Sequence, residues 1–128
     1  MNKLKYELIV TIINRGQADR VVESARKAGA TGGTIIYGRG TSKNEKNSIF
    51  GISIEPEKEL IFTLVKCEER NKIMNAICEG AELNKAGVGI CFTLPVTNIK
   101  GVTKIEKEFE QLSLNLENKE EQKEEPKE

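Results

Sequence analysis

Histidine and tryptophan are both missing from this chain of 128 residues. Without histidine, the commonest general base and the commonest metal ligand are gone. That weighs against hydrolytic or metal-centred chemistry, and the expected catalytic and metal residues are none. Cysteine is sparse. Cys67, Cys78 and Cys91 stand far apart with no C-x-x-C pair. An odd number of scattered cysteines reads as reduced thiols rather than a disulfide framework. The apolar neighbours of Cys78 and Cys91 mark them as small core residues. Long apolar runs are also lacking, which excludes a spanning helix and direct membrane insertion. The opening MNKLKYELIV passes straight into an alternating pattern with no signal-peptide hydrophobic region, so the expected location is the cytoplasm. Net charge is missing too, since Lys+Arg and Asp+Glu both number 20. Nucleic acid is therefore not an expected partner, because neutralising phosphates needs a cationic footprint.

What the chain does contain is periodicity. Leu4, Tyr6, Leu8, Val10 and Ile12 alternate with their neighbours at a period of two, which predicts a strand. Its second half is apolar on both faces, as in a central strand covered on both sides. Asn14-Arg15-Gly16 breaks it. Ala18, Val21, Val22, Ala25 and Ala28 then follow helical spacing, and Gly29 is a natural helix stop. Thr34 to Tyr37 predicts a second strand. The polar segment 41–48 (TSKNEKNS) has no period and reads as a loop, returning as a strand through Phe50, Ile52 and Ile54. After Pro56, Leu60 to Val65 forms a nearly continuous apolar strand. Glu68-Glu69 open a second helix, where acidic side chains suit the dipole, and Ile73, Met74, Ile77, Cys78 and Ala81 make its buried face. Ile90 to Leu94 is the last strand, and Pro95 is expected to end it.

The order β-α-β, loop, β-α-β repeats itself. It defines an α+β, ferredoxin-like split β-α-β arrangement (βαββαβ), with a four-stranded antiparallel sheet and two helices on one face. Strands apolar on both faces leave the other sheet face needing a cover, which implies self-association. The domain is expected to span 1–100, with a long loop at 41–54 and an extension at 101–112 holding a possible short helix. The segment 113–128 has six Glu against three Lys and predicts a disordered acidic tail, either for solubility or for docking.

Glycines cluster around the second strand (Gly29, Gly32, Gly33, Gly38, Gly40) and before the last (Gly87, Gly89). Gly38-Arg39-Gly40-Thr41 combines two glycines, a guanidinium and a hydroxyl, a set that suits a phosphate chain. It does not match G-x-x-x-x-G-K-[ST]. Asn84 to Gly89 adds a second glycine turn carrying Lys85. Two readings stand side by side: a phosphate cradle built from both segments, or two tight turns without a ligand.

TGGTIIYGRGT with the loop after it, EKELIFTLVK, and NKAGVGICFTLPV together resemble the PII nitrogen-regulatory signalling proteins over residues 4 to 100. The resemblance implies a homotrimer that binds an adenine nucleotide (ATP, ADP or AMP, with or without Mg²⁺) between subunits. It also implies that the loop after the second strand, the T-loop, docks onto a membrane transporter or a nitrogen-metabolism enzyme. Such a protein is a regulator and not an enzyme. By the same resemblance, the nucleotide-binding residues are Thr34, Gly38, Arg39, Gly40, Thr41, Leu64, Lys85, Gly87 and Gly89. Lys58 falls where the family uses a lysine for 2-oxoglutarate, and Lys43, Asn44 and Phe50 fall in the partner-binding loop.

The sequence also departs from the family pattern. Thr41-Ser42 stand where a metal-contacting glutamine is usual, Val88 replaces an acid, and Gly101-Val102-Thr103 replace two phosphate-binding arginines. Each lost arginine removes a charge-assisted contact of roughly 1.5–3 kcal/mol. The expected protein is thus a divergent relative that favours ADP or AMP, binds ATP weakly, or senses another small ligand. An enzyme or a copper-tolerance-type metal trimer on the same fold are the remaining alternatives.

Overall fold

The nine residues of β1 (Tyr6–Asn14) form the centre of the sheet. In this computed structural model, which describes residues 5–41, 48–49, 52–53, 56–101 and 114–119, β1 is followed by α1 (Ala18–Lys27), β2 (Thr34–Arg39), β3 (Ser48–Ile49) and β4 (Ile52–Ser53). Then come β5 (Glu57–Lys66), α2 (Arg70–Gly80) and β6 (Gly89–Val96). The four long strands pair in the order β2-β5-β1-β6, every neighbour antiparallel. This is the ferredoxin-like split β-α-β order read from the sequence.

Facing residues in an antiparallel ladder share a side of the sheet. Ile9, Thr11 and Ile13 face Thr63, Ile61 and Glu59 across β5, and this side carries both helices. Ile9, Ile13, Ile61 and Val65 close with Val21, Ala25, Ile73 and Ile77 into one core cluster. α1 keeps Asp19 in its first turn and Arg26 and Lys27 in its last, charges that complement the helix dipole. The other side holds three apolar rows: Leu64-Leu8-Leu94, Phe62-Val10-Phe92 and Leu60-Ile12-Ile90. Among the described residues of 5–96 no layer lies over it, and Ile90 is 56% exposed and Leu94 48%.

Several boundaries differ from the sequence reading. β6 runs through Pro95 to Val96 instead of ending at Pro95. β6 is an edge strand, where the missing proline N–H points away from the ladder. β2 extends past Tyr37 to Arg39, so Gly38 and Arg39 are strand residues rather than turn residues. β5 begins at Glu57, directly after Pro56, instead of at Leu60. The strand expected around Ile52 is half of a short hairpin, Ser48–Ile49 with Ile52–Ser53, outside the main sheet. Cys78 is half-buried rather than a core residue.

Glu68 and Glu69 lie in a 3-10 turn (Cys67–Glu69) that leads into α2. Residues 5–96 form one unit by themselves. Beyond it, residues 114–119 are helical and exposed, within the stretch expected to be disordered. Residues 102–112 of the expected extension lie outside the described residues.

Candidate functional site

The ladder register sets Gly38 opposite Lys58 and Lys58 opposite Asn14, with Arg39 opposite Glu57. One step along, Ile13 faces Gly89. The ends of all four strands, including the glycine segments on the two edge strands, therefore meet at one end of the sheet. Side chains tie this row together. Lys58 Nζ donates to Asn14 Oδ1 at 2.5 Å, and Asn14 Nδ2 donates to the carbonyl of Gly87 at 3.4 Å. The N–H of Gly40 donates to the carbonyl of Pro56 at 2.8 Å, closing the base of the segment between them. Asn14 thus links the β5 lysine to the turn before β6.

A cleft of about 410 Å³ opens beside this row, lined by Arg15, Tyr37, Gly38, Arg39, Glu57 and Lys58. Arg15 forms an ion pair with Glu57, and its backbone N–H donates to the Glu57 carbonyl at 3.2 Å. The hydrogen bond to Glu57, and then the charge of Glu57, hold the Arg15 guanidinium above its usual range, so it stays a cation. Opposite Tyr37 in the ladder, buried Glu59 accepts from the N–H groups of Gly16 (2.5 Å) and Ala18 (3.1 Å). A strand carboxylate thereby caps α1, whose own N-terminal residue Gln17 supplies no side-chain cap.

The glycines have different reasons. Gly87 has φ +79 and open space around it, so the turn conformation requires it. A Cβ on Gly89 would lie 2.5 Å from the backbone oxygen of Ile12, so close strand packing requires glycine there. A Cβ on Gly40 would meet Lys58 Cε at 2.9 Å, the yielding end of a flexible side chain. Gly38 lacks the positive φ that a turn-type anion nest would use, and a Cβ there would make only ordinary contact with Leu60.

Of the residues singled out from sequence, Gly38, Arg39 and Lys58 line the cleft, and Gly40 follows against the Lys58 side chain, with Thr41 exposed just beyond. Lys85 lies in the turn at the same sheet end as Gly87 and Gly89, paired with Glu82 at 3.3 Å. Thr34 and Leu64 sit elsewhere, on the helix-free face. Thr34 is four residues from Gly38 along β2, about 13 Å at strand rise. Lys43, Asn44 and Phe50 lie outside the described residues. Asn14, Arg15, Tyr37 and Glu57 belong to this region without having a site role in the sequence reading. The available signal is Asn14-Arg15, a polar pair at a strand end directly before Gly16.

Among the described residues, no group of three metal-ligating side chains converges and no helix is long and apolar enough to cross a membrane. Burial pushes the Cys91 thiol up, with the Thr11 hydroxyl at 3.6 Å partly opposing this, so it is a neutral packing group.

The class these elements define is a ferredoxin-like α+β domain with glycine segments gathered at one end of the sheet, on its two edge strands. The chain belongs to the P-II family: the family described as nitrogen regulatory protein P-II matches residues 6–106. This is a family of signal-transduction regulators. Among solved structures, the chain is similar to Arabidopsis thaliana PII in its crystal structure bound to citrate. The TM-score is 0.62 at 26% identity, over 79% of this chain and 86% of that one. No curated protein matches the sequence.

Proposed function

We propose that this protein is a P-II-type regulator that forms a homotrimer and binds an adenine nucleotide (ATP, ADP or AMP) between subunits. Gly38, Arg39, Gly40 and Thr41 of one copy, with Lys85, Gly87 and Gly89 of the next, would hold the phosphates. The carrying observation is that these two segments occupy the same end of the sheet on its opposite edge strands, β2 and β6. A cyclic assembly that brings the β2 edge of one copy to the β6 edge of the next sets them side by side. The helix-free apolar face fits the centre of such a ring. The segment after Thr41 would contact the regulated partner, a transporter or a metabolic enzyme, in a conformation that depends on the ligand bound at its base.

Calorimetric titration with ATP, ADP and AMP, each with and without Mg²⁺ and 2-oxoglutarate, tests the reading. Binding near one nucleotide per subunit is expected, and Arg39→Ala is expected to weaken it by about 1–3 kcal/mol. If no nucleotide binds, the nucleotide reading is lost. A second reading, the same fold sensing an organic polycarboxylate, draws on the cationic cleft and on the citrate named for the Arabidopsis relative. Citrate therefore belongs in the same titration.

A further inference from the structure

We propose that Arg15 is an anion-binding residue of the cleft and that Glu57 competes with the ligand for it. This rests on the small-ligand reading above but concerns residues outside it. The ligand class is a multiply charged oxyanion, either a polyphosphate or a polycarboxylate. Three cationic side chains, Arg15, Arg39 and Lys58, line the cleft against one carboxylate, Glu57. Lys58 donates to the neutral amide of Asn14, a contact that a charged oxygen outbids.

The backbone around Arg15 is fixed. Its N–H is bonded to the carbonyl of Glu57, Gly16 beside it holds φ +91, and Glu59 anchors the next turn. The guanidinium itself is less firmly held. The side chains of Arg15 and Glu57 are 65% and 58% exposed, and exposed ion pairs are weak and screened by salt. A planar guanidinium gains a bidentate contact by exchanging Glu57 for a ligand oxyanion. Glu57 faces Arg39 across the β2–β5 ladder and directly follows Pro56, so the exchange takes place at the base of the segment that leaves Gly40. Arg15 thus supplies a cation to the cleft from the β1–α1 turn.

The test is calorimetry of the full chain and of Arg15→Gln, Glu57→Gln and the double variant, with tripolyphosphate, citrate and ATP as probes. Both side chains are exposed, so all variants are expected to keep the wild-type thermal midpoint. Arg15→Gln is expected to raise the Kd at least about tenfold, the scale of one charge-assisted contact. Arg15→Lys should recover only part of that loss, because the fork is gone. Glu57→Gln should tighten binding several-fold with Arg15 present and by clearly less without it. Tripolyphosphate against citrate identifies which oxyanion the cleft takes.

Unchanged affinity in Arg15→Gln overturns the proposal. So does an equal effect of Glu57→Gln in both backgrounds, since Glu57 would then only repel the ligand. ATP binding that ignores Arg15 leaves the nucleotide reading standing and removes this one. Arg15-dependent binding of tripolyphosphate or citrate without ATP binding does the reverse. No binding of any probe removes both.

Discussion

Glu59 is 6% exposed and its carboxylate spans two backbone N–H donors, Gly16 and Ala18. A buried carboxylate with both oxygens engaged is a strong acceptor, and removing it strands the first amides of α1. Glu59→Ala is expected to destabilise the domain by about 1.5–3 kcal/mol. Glu59→Gln should cost less, because one oxygen still accepts. Chemical denaturation reads both, and a Glu59→Ala variant as stable as wild type would show that water replaces the cap. None of this was visible in EKELIF. In sequence Glu59 is one more polar residue before an apolar run, and its partners lie 43 and 41 positions away. The same holds for Arg15 and Glu57, 42 apart. Sequence reasoning found Arg39 and Gly40 because local glycine spacing marks them. Residues whose meaning comes from the ladder register have no local signature.

Elements were legible where side chains alternate or recur at helical spacing, and less so at their ends. Gly38, Arg39 and Pro95 look like breakers, yet all three are strand residues, because pairing with β5 or β1 extends the ladder past the apolar run. Helix contacts follow similar logic. Gly80 ends α2 against α1, where an added Cβ would lie 1.8 Å from Ser24 Oγ and 2.7 Å from its Cβ. Two helices approach this closely only if one partner lacks a side chain. Gly80→Ala is expected to cost about 1–3 kcal/mol through overpacking, read as a fall in the denaturation midpoint. Adding Ser24→Gly should restore most of it, because the small residue has merely changed helices, with the glycine penalty in one offset by the alanine gain in the other. If the double variant is no more stable than Gly80→Ala alone, the close contact is not the cause.

For the whole molecule, the decisive feature is that one side of the sheet is covered by helices and the other by nothing among the described residues of the 5–96 unit. Three apolar rows end at Ile90, Phe92 and Leu94 on β6, which are 56%, 37% and 48% exposed, and Ile36 on β2 is 41% exposed. Together they form a contiguous apolar face of the kind that marks an interaction surface. Fully burying a large side chain contributes roughly 1.5–3 kcal/mol, so covering these half-exposed ones with another copy would favour the proposed ring. The sequence already pointed this way, since strands apolar on both faces were its clearest non-local signal. Ile90→Glu, at the most exposed of these β6 positions, should leave the helix-side core intact while placing an unpaired carboxylate in the shared face. Burying that charge costs several kcal/mol per copy. Light scattering is expected to report a trimer for the wild-type chain and a monomer for Ile90→Glu, with circular dichroism unchanged. If the variant stays trimeric, the copies meet through some other surface. The nucleotide segments on β2 and β6 would then need a different geometry to come together.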